Sequence, residues 1–319
     1  MNAAVVRSFA DPPAYEPFDT PTPASPDEMA IDVLAVGLHP RTRSSADGSH
    51  YASSGQLPMI PGFDGIGRDP DGRLRYFILA DTHLGSMAEQ VVVDPRRSIL
   101  LPDGSDVLTV AAAMNPAMSS WIALRNRIAF EPGQSVLVLG ATGNAGQMAV
   151  QIAKRLGARH VIAAGRDPER LAALTELGAD VTVSLAGDPA AVDHALGEAA
   201  SGVDVVIDYL WGSATERAMP AVLTQRTDRG RPLTWIEIGS VAGPRIALAS
   251  AWLRAARIQI VGSGQGSVST ADIVGELPAL AAEISTGTYA IDAVATPLSE
   301  VRATWNAALA PGRRVVFVP

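Results

Sequence analysis

The chain has 319 residues and no cysteine. That absence excludes disulfides, every thiolate zinc site and a cysteine nucleophile. Positive charge is in short supply too: 25 Lys and Arg stand against 33 Asp and Glu, a formal net charge of -8. With that balance and no basic tract, no nucleic-acid partner is expected. No apolar run approaches the length needed to cross a bilayer, so no membrane partner is expected either. The N-terminus, MNAAVVRSFADPPAYE, lacks a basic leader, a long apolar core and a cleavage site. It does not read as a signal peptide, and a cytoplasmic protein is the simplest expectation. Internal repeats are absent as well.

What is present is the composition of a soluble globular protein, 47% hydrophobic and 18% charged, long enough for two domains. Up to about residue 110 the chain is rich in proline and glycine. AIDVLAVGL, RLRYFILAD and AEQVVVD there read as strands, and DPDG (69–72) as a hairpin turn, so a β-barrel-like unit is expected. From about Ala111 strands alternate with helices. SVLVLG leads to a helix over Gln147–Leu156, HVIAAG to one over Pro168–Leu177, and VDVVIDYL to one over Thr215–Leu223. The strands TWIEIGS and IQIVGSG follow. This alternation favours right-handed crossovers in a doubly wound parallel sheet, an α/β fold. The C-terminal part reads as a helix over Thr270–Ser285, an extended TYAIDAVATPL, a helix near Glu300–Ala310 and a final strand, RRVVFVP.

The most informative stretch is 135–158, SVLVLGATGNAGQMAVQIAKRLGA. A buried strand meets a glycine turn (Gly140, Ala141, Thr142, Gly143, Asn144, Ala145, Gly146). A helix follows, with apolar Met148, Ile152 and Leu156, and stops at Gly157. Small residues in such a turn let the backbone approach a diphosphate, whose charge the free N–H groups of the helix N-terminus stabilise. The next strand ends in Gly165-Arg166, where a protein preferring NAD carries an acidic residue for the ribose 2′-hydroxyl. A neutral strand end with an arginine beside it, and Arg170 one helical turn on, suits a 2′-phosphate. NADP(H) is therefore the expected cofactor. The alternative is that both arginines are solvated helix-end charges. Asp167 would either repel the phosphate or cap the Pro168 helix, and the cap is the favoured reading. Further cofactor contacts are expected where strands end above the sheet. These are Asp208, Tyr209 and Leu210; Gly239, Ser240 and Val241; and Gly262, Ser263 and Gly264. Asn115 and Ser119, read at the start of the helix before the glycine turn, are weaker candidates.

Three segments in this order carry a family resemblance: PGFDGIG (61–67), EPGQSVLVLGATGNAGQMAVQIAKRLGA (131–158), and ISTGTYAIDAVATPLSEVRATWNAAL followed by GRRVVFVP. The chain resembles the medium-chain dehydrogenase/reductase superfamily, in its zinc-free quinone oxidoreductase branch related to zeta-crystallin. The resemblance implies a Rossmann domain over 115–266 and a GroES-like barrel domain built from 1–114 and 267–319, with the cofactor in the cleft between them. It also implies a homodimer, formed through the edge strand near Ile258–Val261, although a buried central strand would explain that apolar run equally well. It places Arg170 at a phosphate-binding position and 239–241 against the nicotinamide. This chain departs from the family in two places. GRDPDGRLRYFILADTHLGS (67–86) is compressed, and Asn144-Ala145 stands where Gly-Val is usual.

Zinc-dependent relatives hold a catalytic metal with three side chains. By motif position His39 stands at the first, Phe63 replaces a histidine at the second, and Asn115–Ser120 offers no Cys, His or Asp for the third. No metal is expected. Hydride transfer without zinc suits quinones and enones, whose product anion is delocalised. The protein then supplies orientation, water exclusion and a hydrogen-bond donor. Tyr51 is the first candidate donor, since it matches a tyrosine that faces substrate in this branch. It reads equally as a tyrosine on the barrel rim. His39 is a second candidate donor, but reads more readily as a satisfied turn histidine. Asp64 reads as a structural carboxylate, and His50, Arg41 and Arg43 share the His39 segment. Two other readings stay open: an enoyl-thioester or carbonyl reductase of a specific metabolite, and a non-catalytic NADPH-binding sensor or structural protein.

Overall fold

A computed structural model describes residues 1–50, 53, 55–307 and 312–319. The chain divides into two compact units, one of Met1–Asn115 with Thr270–Pro319, the other of Pro116–Ser269.

The second unit is an alternating α/β domain. Its elements run β1 (Ser135–Leu139), α1 (Asn144–Arg155), β2 (His160–Gly165), α2 (Pro168–Glu176), β3 (Val181–Ser184), α3 (Pro189–Ala199), β4 (Val205–Asp208), α4 (Gly212–Gln225), β5 (Leu233–Glu237), α5 (Ser250–Ala255) and β6 (Ile258–Gly262). All six strands are parallel, in the order β3-β2-β1-β4-β5-β6. The order reverses between β1 and β4, the switch point where open parallel sheets bind ligands. Strand β1 is buried throughout because SVLVL is covered on both faces. On one face Leu137, Leu139, Ile162, Val206 and Trp235 pack against Leu196, Met219, Val222 and Leu223 of α3 and α4.

Helix α4 starts three residues before the expected Thr215, for a reason found in Asp208 below. Strand β3 and helices α3 and α5 were not foreseen. For α3 the signal was there: Asp188 caps the helix and Pro189 fills its first turn.

The first unit is mainly antiparallel. Its sheet runs, edge to edge, Asp292–Pro297, Arg313–Val318, Met29–Gly37, Asp64–Arg68, Leu74–Ile78 and Ser98–Leu100, with Gln90–Val93 also paired to Met29–Gly37. The C-terminal strand thus joins the N-terminal lobe, Val316 lying opposite Gly37. The turn after Asp64–Arg68 forms as DPDG suggests: Asp69 accepts from the Asp71 and Arg73 amides, and Gly72 has φ +78°. The core gathers Ile31, Val36, Phe77, Met87 and Phe317. Of the helix expected near Glu300–Ala310, Val301–Thr304 is α-helical and follows a 3-10 turn over Leu298–Glu300, while 308–310 lie outside the described residues.

One expectation needs correction. The helix Val107–Ile122, extended by a π-turn over Ala123–Arg127, is 21 residues long and apolar enough by length and composition to cross a membrane. Within its most apolar window 67% of the residues are buried inside the protein, as in the core helix of a globular fold. Asn115 and Ser119 lie in the second half of this helix, not at its start.

Candidate functional site

The glycine turn sits at the C-terminal end of β1. Gly140 adopts φ +84°, and its N–H and that of Ala141 both donate to the Ala164 carbonyl of β2, at 3.0 and 2.9 Å. A Cβ on Gly146 would lie 2.3 Å from the Gly140 carbonyl oxygen, so only glycine lets the helix come this close to the turn. Gly143, the residue before helix α1, gives it no side-chain cap, which leaves the N-terminal amides available to an anion. The turn is locked to the next strand end by Thr142. Its side chain occupies the space a Cβ on Gly165 would need, 2.4 Å away, and its carbonyl accepts from Arg170 Nη1 at 3.0 Å. Asp167 caps α2 through the Arg170 amide at 3.1 Å, and its carboxylate lies 3.5 Å from Arg170 Nε. Arg166 is exposed beside them. The residues present fit a dinucleotide diphosphate followed by a 2′-phosphate.

Asp208 organises the neighbouring strand end. Fully buried, it accepts from the Leu210 and Trp211 amides at 2.8 and 3.0 Å, from the Thr215 hydroxyl, and from the Trp235 indole at 2.9 Å. These bonds start α4 early and fold the chain back sharply. Trp211 is held at φ 48°, the one non-glycine residue at positive φ among the described residues. Gly212 follows at φ 54°, where a Cβ would strike the Ala242 carbonyl 2.3 Å away. The next strand end is stitched to this loop, with Gly239 donating to the Asp208 carbonyl and Val241 to that of Tyr209. Tyr209 is anchored from the other side, its hydroxyl 2.9 Å from Ser119 Oγ. Burial pushes the Tyr209 phenol up to about 12. Ser263 donates its amide to the Glu237 carbonyl at 2.8 Å, and Gly264 to Ser267 Oγ at 2.8 Å. Glycine turn, Gly165 to Arg170, 208–210, 239–241 and 262–264 thus all occupy the C-terminal edge of one sheet. Thr215 and Trp235 escaped the sequence reading because their role depends on a carboxylate seven and twenty-seven residues away.

In the antiparallel lobe His39 is buried and caps the helix Pro40–Ala46, accepting the Thr42 amide at Nδ1. Its Nε2 lies 2.9 Å from Asp64 Oδ1, and the Tyr76 hydroxyl donates to Asp64 Oδ2 at 2.7 Å. Burial holds the His39 imidazole below its ordinary value. Burial alone would raise Asp64, but the His39 and Tyr76 hydrogen bonds and the Arg314 charge bring it below its ordinary value. A neutral imidazole donating to a carboxylate satisfies both, and leaves His39 no ring nitrogen for a further partner. Phe63 carries Arg41, whose guanidinium carbon lies 3.4 Å from the ring centroid while Nη2 donates to Asp81 at 2.7 Å. Tyr51 lies outside the described residues. Among the described residues no cluster of three or more His, Asp or Glu could hold a metal ion.

A parallel sheet of this order, with a free helix N-terminus at its switch point, together with a lobe built from both chain ends, defines a two-domain dinucleotide-dependent reductase fold. Residues 145–281 match the family model described as zinc-binding dehydrogenase. The whole chain is 32% identical to a probable NADPH-dependent quinone reductase of Emericella nidulans, covering 100% of both. It is 28% identical over 49% of its length to an NADPH-dependent alkenal/one oxidoreductase of Arabidopsis thaliana, 45% of which is covered. Its fold is similar to that of the quinone oxidoreductase of Thermus thermophilus, with a TM-score of 0.81, 24% identity and 100% of both chains covered. The chain belongs to the medium-chain dehydrogenase/reductase superfamily, in its quinone oxidoreductase-like group.

Proposed function

We propose that this protein is a zinc-independent, NADPH-dependent oxidoreductase acting on quinones or α,β-unsaturated carbonyl compounds, working as a cytoplasmic homodimer. The observation that carries the reading is the uncapped α1 N-terminus held by Gly140 and Gly146 against the neutral strand end Gly165, with Arg166 and Arg170 beside it. The names of the Emericella and Arabidopsis relatives support the same chemistry. NADPH, when bound, supplies the hydride. The α1 amides would hold its diphosphate, and Arg166 and Arg170 its 2′-phosphate. Gly239, Ser240 and Val241, fixed by the Asp208 loop, would set the nicotinamide end. Tyr51 would donate a hydrogen bond to the acceptor oxygen as negative charge develops there. His39, with one ring nitrogen on Asp64 and the other on the Thr42 amide, has a structural role and no donor left for the acceptor. With no thiolate in the chain and Phe63 at the second metal position, the side chains present do not suit a Lewis-acid zinc mechanism.

Homodimer formation is supported by β6, an open sheet edge carrying Ile258, Ile260 and Val261, and by the exposed Val241, Leu248 and Leu253 of the same unit. Light scattering should give twice the chain mass, and Ile260→Lys should give one.

The direct test is NADPH oxidation over a panel of quinones, enones and enoyl thioesters. Turnover of quinones or enones is expected, at a rate lowered by Tyr51→Phe. Tight NADPH binding with no turnover of any acceptor would make this a cofactor-binding protein instead. Replacing Arg166 and Arg170 together by alanine should weaken NADPH binding about tenfold or more. Equal wild-type affinity for NADH would refute the 2′-phosphate reading.

A further inference from the structure

The antiparallel lobe buries a cation from which no side chain or carbonyl among the described residues accepts a hydrogen bond at two of its nitrogens. Arg314, on the C-terminal strand, is 4% exposed, and its Nε and Nη2 have no hydrogen-bond partner among the described residues. The carboxylate that acts on it most strongly, Asp64, spends one oxygen on His39 and the other on Tyr76. No ion pair joins Asp64 to Arg314 among the described residues. Burial pushes the Arg314 guanidinium down to about 10, Asp64 opposes that fall, and the like charge of Arg43 adds to it. At that value the group is still a cation at neutral pH.

Arg43 repeats the pattern closer to the surface. It is half-buried on the helix Pro40–Ala46, and its Nε is enclosed without a partner. Arg41, two residues away, differs in that its Nη2 is held by Asp81 and its guanidinium is stacked on Phe63. Asp64 is engaged by His39 and Tyr76 and Asp81 by Arg41, so among the described residues no carboxylate pairs with Arg43 or Arg314. A buried guanidinium without an acceptor is costly, and a bound anion is one way such a group is completed.

We propose that Arg43 and Arg314 form an anion subsite that recognises an ionised oxygen on the acceptor, selecting hydroxyquinones in their anionic form over neutral quinones. The planar donor fork of a guanidinium matches two adjacent oxygens, such as the enolate and carbonyl of an ionised 2-hydroxyquinone. The proposal rests on the reading of this protein as a quinone reductase, and its test does not need turnover.

The experiment is titration calorimetry of the full chain, with and without saturating NADP+, using 2-hydroxy-1,4-naphthoquinone and 1,4-naphthoquinone. The wild type is expected to bind the hydroxylated compound at least about tenfold more tightly, as a charge-assisted pair requires. In Arg43→Gln and in Arg314→Met that ratio should fall to within about twofold, the pair being lost. Arg314→Met should leave Tm unchanged or raised, because the desolvation cost of the buried cation is removed and no hydrogen bond at Nε or Nη2 is lost. Equal wild-type affinity for both quinones would overturn the proposal. So would an equal loss for both quinones in the variants, or weaker NADPH binding with the quinone ratio intact, which would assign the arginines to a cofactor phosphate. Should Arg314→Met fail to fold, Arg43→Gln at the lobe surface decides alone. A protein that binds the anionic quinone selectively but turns over none would sink the oxidoreductase reading and leave the subsite standing.

Discussion

The parallel sheet and the antiparallel lobe each bury one carboxylate, and they pair it in different ways. Asp208 takes four donors, three of them from the seven residues that follow it: the Leu210 and Trp211 amides and the Thr215 hydroxyl. Asp64 draws on side chains from three separate elements, His39 on a helix cap, Tyr76 on the neighbouring strand and Arg314 near the end of the chain, the last of which acts through its charge with no hydrogen bond or ion pair among the described residues. A carboxylate that organises its own loop is complete as soon as that loop folds. One that collects partners from across the sequence is complete only when the whole lobe has closed, and here no carboxylate among the described residues pairs with Arg314. The first arrangement suits a rigid edge for a cofactor common to many reductases. The second leaves charge to be used on whatever the lobe binds.

The largest effect expected from breaking this contrast is at Asp208. Asp208→Ala strands two amides, a hydroxyl and an indole N–H in a fully buried place, and it releases the strained Trp211 turn. A loss of about 3–5 kcal/mol is expected in denaturant unfolding. NADPH affinity should fall with it, because Gly239 and Val241 hang on the same loop. Asp64→Ala strands only the His39 and Tyr76 donors, while removing the carboxylate that most offsets the Arg314 charge. About 2–4 kcal/mol is expected, recovered in large part when Arg314→Met is added, since the cation that needed compensation is gone. If the double variant is no more stable than Asp64→Ala, Asp64 and Arg314 do not act on each other and the contrast between the two carboxylates fails.

The same difference explains what could be read from the chain in advance. The parallel domain announces itself locally. SVLVLG followed by glycines, the Asp167-Pro168 cap and the neutral Gly165 are each decided within a few residues, and the structure places the expected cofactor segments on one sheet edge. The edge strand Val181–Ser184 was missed because VTVS is only four residues long, so its alternation of Val181 and Val183 inward with Thr182 and Ser184 outward is too short to stand out as a periodic face. The lobe is legible as strands but not as a site. Nothing near Arg314 in sequence says that it will be buried, and nothing near Tyr76 says that it will reach Asp64. Those facts come from register, Val316 opposite Gly37 and Asp64 opposite Ile78. Even the apolar helix Val107–Ile122 needed the fold around it before its length meant core and not membrane.

The smallest effect is also the most specific to the lobe. Burial, with help from the Arg314 and Arg41 charges, holds His39 below its ordinary pKa of 6.5 in the folded protein. In the unfolded chain the imidazole takes up its proton near the ordinary value. Just below that pH the unfolded state binds the extra proton and the folded state does not, so acidification favours unfolding. The stability tied to neutral His39 is fully present above the unfolded pKa and is lost as pH falls toward the lowered folded one. Asp64, also lowered, acts in a separate window, below its ordinary 3.8. Stability should therefore decline as pH falls below the ordinary imidazole value, with a slope of at most about 1.4 kcal/mol per pH unit from this one group. His39→Gln keeps an amide donor for Asp64 but cannot titrate. It should lower stability at neutral pH by about 1 kcal/mol and flatten the slope. A residual slope is expected from His50, which burial also lowers. The measurement is Tm against pH for both proteins. If the two decline in parallel, His39 does not control the acid response of the lobe, and the neutral imidazole–carboxylate pairing is wrong.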